Sequence, residues 1–172
     1  MARQSDRERA GPGLFDDMAE PGAPRSDHRL IVEADGGARG NPGPAAYGAV
    51  VRDAETSKVL AAEGLPIGHA TNNVAEYRGL IAGLEMVREL DPRAALEVRM
   101  DSKLVIEQMA GRWKVKHADM KALALQAARL RPATVTWTWV PRELNKAADA
   151  LVNRALDGDP VPRQYMIDRL GY

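Results

Sequence analysis

Residues 33–44 read EADGGARGNPGP. An apolar run that begins at Arg29, RLIVEA, carries Asp35 into a segment crowded with Gly and Pro. The run predicts a β-strand over 29–35, and the Gly/Pro segment predicts a tight turn, since these residues punctuate regular structure. Beyond the turn, AAYGAVVRD (45–53) reads as a second strand and KVLAAEGLPI (58–67) as a third, joined by polar residues around Glu55–Ser57. Connections this short make neighbouring strands antiparallel.

The period then changes. In ATNNVAEYRGLIAGLEMVREL (70–90), Val74, Tyr77, Leu80, Ile81, Leu84 and Val87 recur at helical spacing. Thr71 or an adjacent Asn serves as the N-cap, and Asp91–Pro92 ends the helix. ALEVRM (95–100) alternates as a fourth strand and runs straight into Asp101. SKLVIEQMAG (102–111) predicts a short helix stopped by Gly111, and ADMKALALQAARLR (118–131) another, ended near Pro132. TVTWTWV (134–140) is β-branched and aromatic at period two, which suits a fifth strand with Trp137 and Trp139 in the core or on the sheet face. ELNKAADALVNRALDG (143–158) places Leu144, Ala148, Leu151, Val152 and Ala155 on one stripe of a final helix. The fourth and fifth strands are reached through helices and should pair in parallel. The expected fold class is α/β: a mixed five-stranded sheet, three antiparallel strands then two parallel, flanked by helices.

Bulk properties agree with one domain. The chain has 172 residues, 45% hydrophobic and 28% charged, with no Cys and a formal net charge of zero. No apolar run approaches the ~18 residues of a membrane span, and the N-terminus has no signal-like apolar region. The lack of Cys fits a reducing, cytoplasmic setting and removes thiolate metal sites from consideration. Residues 1–28 mix charge with Gly and Pro without periodicity and read as a disordered tail, in which Leu14, Phe15 and Met18 form an incidental apolar islet. Residues 29–158 form the expected domain, and 159–172 read as an extension or linker remnant.

Four acids stand at informative places: Asp35 at the end of strand one, Glu76 early in the long helix, Asp101 after strand four, and Asp149 early in the last helix. Singly, each has an ordinary reading as a turn former, a cap or a solvated surface acid. Carboxyl ends of parallel strands gather on one edge of an α/β sheet, so Asp35 and Asp101 can be neighbours. DGGARGNPG is not a nucleotide loop, because no Gly-Lys-Ser/Thr follows and the next element is a strand.

Their flanking residues carry a resemblance. DGGARGNPGPAAYGAV (35–50) resembles the first-strand signature of type 1 ribonuclease H, an Asp and a Gly followed by a Gly-Asn-Pro-Gly turn. TNNVAEYRGLIAGL (71–84) is similar to that family's Thr-Asn-Asn-x-x-Glu helix, MDSKLVIEQM (100–109) to its strand-four Asp-Ser, and WVPRELNKAADALVNRA (139–155) to its last strand and helix. All four blocks occur in order. The resemblance implies a ribonuclease H-like fold and a two-metal-ion endonuclease that hydrolyses the RNA strand of RNA–DNA hybrids with little sequence specificity, leaving 5′-phosphate and 3′-hydroxyl ends. It implies that Asp35, Glu76, Asp101 and Asp149 hold two Mg²⁺ ions, with Mn²⁺ as a substitute; hard cations suit carboxylate oxygens. It further implies that Gly37, Asn41, Asn72 and Asn73 face the minor groove and that Thr71 contacts a DNA phosphate. Double-stranded RNA is a second substrate that a shape-reading site admits. The alternative from another class is a module that binds hybrid or double-stranded RNA with weak or no hydrolysis.

Two departures stand out. The connection VPRELN has no His where the best-known bacterial members carry a mobile one; Arg142 resembles the Arg that some members have instead, or is a surface cation. The long basic protrusion of some members is missing, and GRWKVKHADMK (111–121) remains. There, Trp113 and Lys116 either contact the DNA-strand backbone or, for Trp113, pack on neighbours. The match is nearest to actinobacterial-type members, through DGGARGNPGP, TNNVAEYRGLIAGL and QMAGRWKVKH; such domains are often fused to a C-terminal phosphatase-like domain.

Overall fold

The computed structural model describes residues 26–167. Most of the expected tail, including the Leu14–Phe15 and Met18 islet, lies outside the described residues. The chain builds strands β1 (Arg29–Ala38), β2 (Gly43–Asp53) and β3 (Val59–Ala70), helix α1 (Asn72–Leu90), strand β4 (Ala95–Met100), helices α2 (Lys103–Met109) and α3 (Ala118–Leu130), strand β5 (Val135–Trp139), helix α4 (Lys146–Leu156) and strand β6 (Val161–Tyr165). The sheet order is β5-β4-β1-β2-β3-β6. β1, β2 and β3 pair antiparallel, while β4 pairs parallel with both β1 and β5.

The five-stranded expectation is corrected to six. Residues 161–165, taken as extension or linker, pair antiparallel with β3, so the sheet runs past residue 158. VPRQY has no clean alternation and contains Pro162, which an edge strand tolerates because one of its sides makes no ladder bonds. Side-chain chemistry fixes it instead. Arg163 donates to both carboxylate oxygens of buried Glu63 at 2.9 and 3.2 Å and reaches Glu85 at 3.2 Å, while Tyr47 Oη donates to Glu63 Oε1 at 2.5 Å. At the other end, residues 26–28, expected in the tail, are docked: Ser26 Oγ and His28 Nδ1 lie 2.5 and 2.7 Å from Oδ2 of fully buried Asp91.

α1 lies across one face of the sheet. Thr71 caps it by accepting from Val74 N at 3.3 Å, and Asp91 ends it. Tyr77, Leu80, Leu84 and Met86 are completely buried against Leu30, Val32 and Ala34. Each such side chain contributes on the order of 1.5–3 kcal/mol by leaving water. α4 covers the opposite face over β2 and β3. Its approach needs Gly48, where a Cβ would meet Ala148 O at 2.4 Å.

Two further expectations change. Leu144 is not part of the apolar stripe of α4; it sits in a 3₁₀ turn, Arg142–Leu144, and is 66% exposed. Of its two expected places, core or sheet face, Trp139 keeps only the second: on β5 it is 48% exposed, its indole N–H donating to Asp101 O at 3.1 Å and Lys103 Nζ lying 5.9 Å from its ring centroid. Trp137 does pack against the core.

Candidate active site

The site forms where the sheet opens. β1 and β4 remain paired only as far as Glu33 opposite Arg99, after which Asp35 and Asp101 emerge from diverging strands. Asp35 is not at the end of β1 as expected. β1 continues through Gly36 and Gly37 to Ala38, paired with Tyr47 through Ala45 of β2. The glycines therefore do more than turn the chain. A Cβ on Gly36 would lie 2.1 Å from Ala75 C, and one on Gly79 would lie 2.5 Å from Asp35 O. Their absence lets α1 press on β1 and brings Glu76 beside Asp35.

One carboxylate oxygen each from Asp35, Glu76 and Asp101 lies within 4.8 Å of the others. Asp149, on the first turn of α4, lines the same cleft of about 350 Å³, together with Gly37, Asn72 and Arg142. Arg142 Nη2 stands 3.6 Å from Asp149 Oδ1.

Crowding of acids shows in their proton affinities. Burial, then the charges of Asp101 and Asp149, push the Asp35 carboxyl up to about 8, against the opposing Gly36 N–H, which donates to Asp35 Oδ1 at 2.9 Å. Burial, then Asp35 and Asp101, hold Glu76 well above the usual carboxylate range. Glu76 Oε2 is buried and has no hydrogen-bond partner among the described residues. A buried oxygen without a donor is costly. A divalent cation would supply the missing positive partner and let these acids ionise together, so the donor set fits hard-cation binding.

The remaining predicted residues fall into three places. Asn41 Oδ1 accepts from Asn72 N at 3.1 Å, and Asn72 Oδ1 accepts from Ala38 N at 2.8 Å, so both carboxamide oxygens knit the β1–β2 turn to the start of α1. Thr71 is the cap of that helix, and Asn73 is exposed on its first turn. Trp113 and Lys116 sit in the α2–α3 loop, outside the cleft lining, with Trp113 half-buried and Lys116 exposed.

Sequence reasoning missed three residues here. Arg39 lines the cleft and pairs with Asp157 at 2.5 Å. Trp139 brackets Asp101 from β5. Asn145, buried beneath the cluster, was read only as part of the stretch that forms the last helix.

The comparisons agree with this geometry. A family model described as reverse transcriptase-like matches residues 33–155. The bifunctional protein Rv2228c of Mycobacterium tuberculosis is 56% identical over 131 residues, covering 75% of this chain and 36% of its own length. The chain thus spans about a third of that relative. The solved N-terminal RNase H domain of Rv2228c superposes with a TM-score of 0.73 at 54% identity, over 77% of this chain and 96% of that one. Ribonuclease HI of Halobacterium salinarum is 43% identical over 131 residues, covering 75% of this chain and 65% of its own. The structure of LC11-RNase H1 in complex with an RNA/DNA hybrid gives a TM-score of 0.71 at 41% identity, over 75% and 97% of the two chains. With the signature blocks, the sheet order and the acid cluster, these matches lead to one assignment: the chain belongs to the type 1 ribonuclease H family.

Proposed function

We propose that the chain is an endonuclease that hydrolyses the RNA strand of RNA–DNA hybrids with little sequence preference, leaving 5′-phosphate and 3′-hydroxyl ends. The observation that carries this reading is the convergence of Asp35, Glu76 and Asp101 oxygens within 4.8 Å of one another, with Glu76 Oε2 buried and lacking a hydrogen-bond partner among the described residues. The relatives named ribonuclease H, and LC11-RNase H1 solved with a hybrid, support the substrate class.

Asp35, Glu76, Asp101 and Asp149 would hold two divalent cations, Mg²⁺ or in its place Mn²⁺. When bound, the ions lower the pKa of an attacking water and offset charge on the leaving 3′-oxygen. The chain's own residues supply placement. Gly37 peptide groups and the side-chain amides of Asn41, Asn72 and Asn73 offer donors and acceptors to a minor groove, where the 2′-hydroxyl separates RNA from DNA without reading bases. Thr71 offers its hydroxyl to a DNA-strand phosphate at the N-terminus of α1. Arg142, more exposed than Asp149, presents a cation at the cleft mouth, where it can meet a phosphate. Trp113 and Lys116 lie farther along, suited to the DNA backbone.

Among the described residues no helix is long and apolar enough to cross a membrane, and we place the activity in the cytoplasm. The bifunctional relative and its greater length fit a parent chain with a further domain, which we take to be phosphatase-like and C-terminal.

Cleavage of a labelled hybrid over Mg²⁺ and Mn²⁺ series, with a chelator control, tests the reading. Activity should need the metal, should vanish in Asp35→Asn and Asp101→Asn, and should exceed cleavage of double-stranded RNA. Tight hybrid binding without metal-dependent cleavage would instead make the chain a binding module.

A further inference from the structure

We propose that Asn145 is a positioning residue whose side-chain amide sets the orientation of the Asp101 carboxylate, so that Asp101 can share a divalent cation with Asp35 and Glu76. This rests on the metal-binding reading above and adds to it a residue outside the four acids.

Asn145 occupies the N-cap position of α4, where an Asn ordinarily turns its side-chain oxygen onto the free N–H groups of its own helix. Here it makes no such bond. The residue is fully buried, and its amide reaches across the fold. Nδ2 donates to Ala34 O at 2.9 Å and to Asp101 Oδ1 at 2.7 Å, which uses both of its hydrogens. Ala34 immediately precedes Asp35. The Asn145 carbonyl accepts from Asp149 N at 3.1 Å. One residue thus fastens the strand carrying Asp35, the carboxylate of Asp101 and the helical turn carrying Asp149.

The amide can face only one way. Turned over, its oxygen would meet a carbonyl and a carboxylate, both acceptors. In the observed orientation Oδ1 is buried without a partner among the described residues. A position with only a packing duty would be filled more favourably by an apolar side chain. What the amide supplies and an apolar group cannot is a donor that stops the Asp101 carboxylate from rotating. Outer partners that orient metal ligands in this way typically change metal affinity by 10–100-fold when removed.

The test is Mg²⁺ binding measured by calorimetry on the unsubstituted chain and on Asn145→Ala, beside cleavage kinetics. The Mg²⁺ dissociation constant should rise about 10- to 100-fold. The Mg²⁺ concentration for half-maximal cleavage should rise in step, while KM for the hybrid at saturating metal changes by less than about twofold. A folded Asn145→Ala protein with unchanged Mg²⁺ affinity overturns the proposal. Should that variant not fold, NMR of the unsubstituted chain decides. The Asn145 side-chain NH₂ signals should exchange slowly with solvent and shift with added Mg²⁺ in step with the Asp101 amide; signals indifferent to Mg²⁺ overturn the assignment. Absence of any Mg²⁺ binding by the unsubstituted chain is a separate result, which overturns the proposed function itself.

Discussion

At the scale of single residues, burial and like charge set the behaviour of the site. Asp35 has its carboxyl pushed up to about 8, first by burial and then by Asp101. In the unfolded chain it would ionise near its ordinary value of 3.8. Between these values the unfolded chain has lost the proton and the fold keeps it. The metal-free protein should therefore have this contribution in full below about pH 4 and lose it as pH rises toward 8. Asp35→Asn carries no titrating group there, so its melting temperature in chelator should fall less over that range. By pH 8 it should be the more stable of the two. Melts in chelator across pH 5–8 check this; parallel pH profiles would show that Asp35 is ionised without metal. That Asp35 matters was legible from its flanking residues, the Gly that follows it and the Gly-Asn-Pro-Gly turn beyond, since the acid by itself reads as an ordinary turn former. That Asn145 matters was not, since an Asn opening a helix has a commoner explanation in capping, and only the fold shows the cap unused.

At the scale of elements, legibility followed periodicity. α1 was readable because its apolar residues repeat at helical spacing and its ends carry Thr71 and Asp91–Pro92. β4 was readable from strict alternation. β6 was not, because what holds it is an ion pair between residues one hundred positions apart, Arg163 and Glu63, and such partners leave no local trace. The same fact predicts its weakness. Arg163→Ala would leave the Glu63 carboxylate, nearly inaccessible to water, with Tyr47 as its remaining side-chain donor. Breaking a buried pair from one side is costly, and the partial exposure of the guanidinium reduces the expected loss to about 2 kcal/mol. Denaturant unfolding should show that loss with cleavage per folded molecule unchanged, since β6 lies at the sheet edge away from the β1–β4 fork. The extent of β1 was also misjudged: three residues taken for a turn are paired strand, because Gly36 there answers to α1 above it and not to chain reversal.

At the scale of the molecule, a formal net charge of zero hides an uneven distribution. Acids gather in the cleft, while Lys114, Lys116 and Lys121 punctuate the α2–α3 region. Not every cation there is available: Arg112 is bound to Glu107 through two hydrogen bonds, at 2.6 and 3.0 Å. Lys116 should then be a contributor to backbone contact. Lys116→Ala is expected to weaken hybrid binding by a similar factor for every sequence and to lower the slope of log affinity against log salt by about 1. Binding titrations at several salt concentrations, with cleavage blocked by Asp101→Asn, measure it. An unchanged slope would remove Lys116 from the interface.

The raised proton affinities of Asp35 and Glu76 have a thermodynamic corollary for cation uptake. Ligands that are protonated in the resting protein must shed hydrogen ions to the medium as the metal enters. At neutral pH, loading the cleft with Mg²⁺ should acidify an unbuffered solution, and the calorimetric heat of loading should differ between buffers of high and low ionisation enthalpy. The stoichiometry of that release would count the acids that hold a proton before the ion enters.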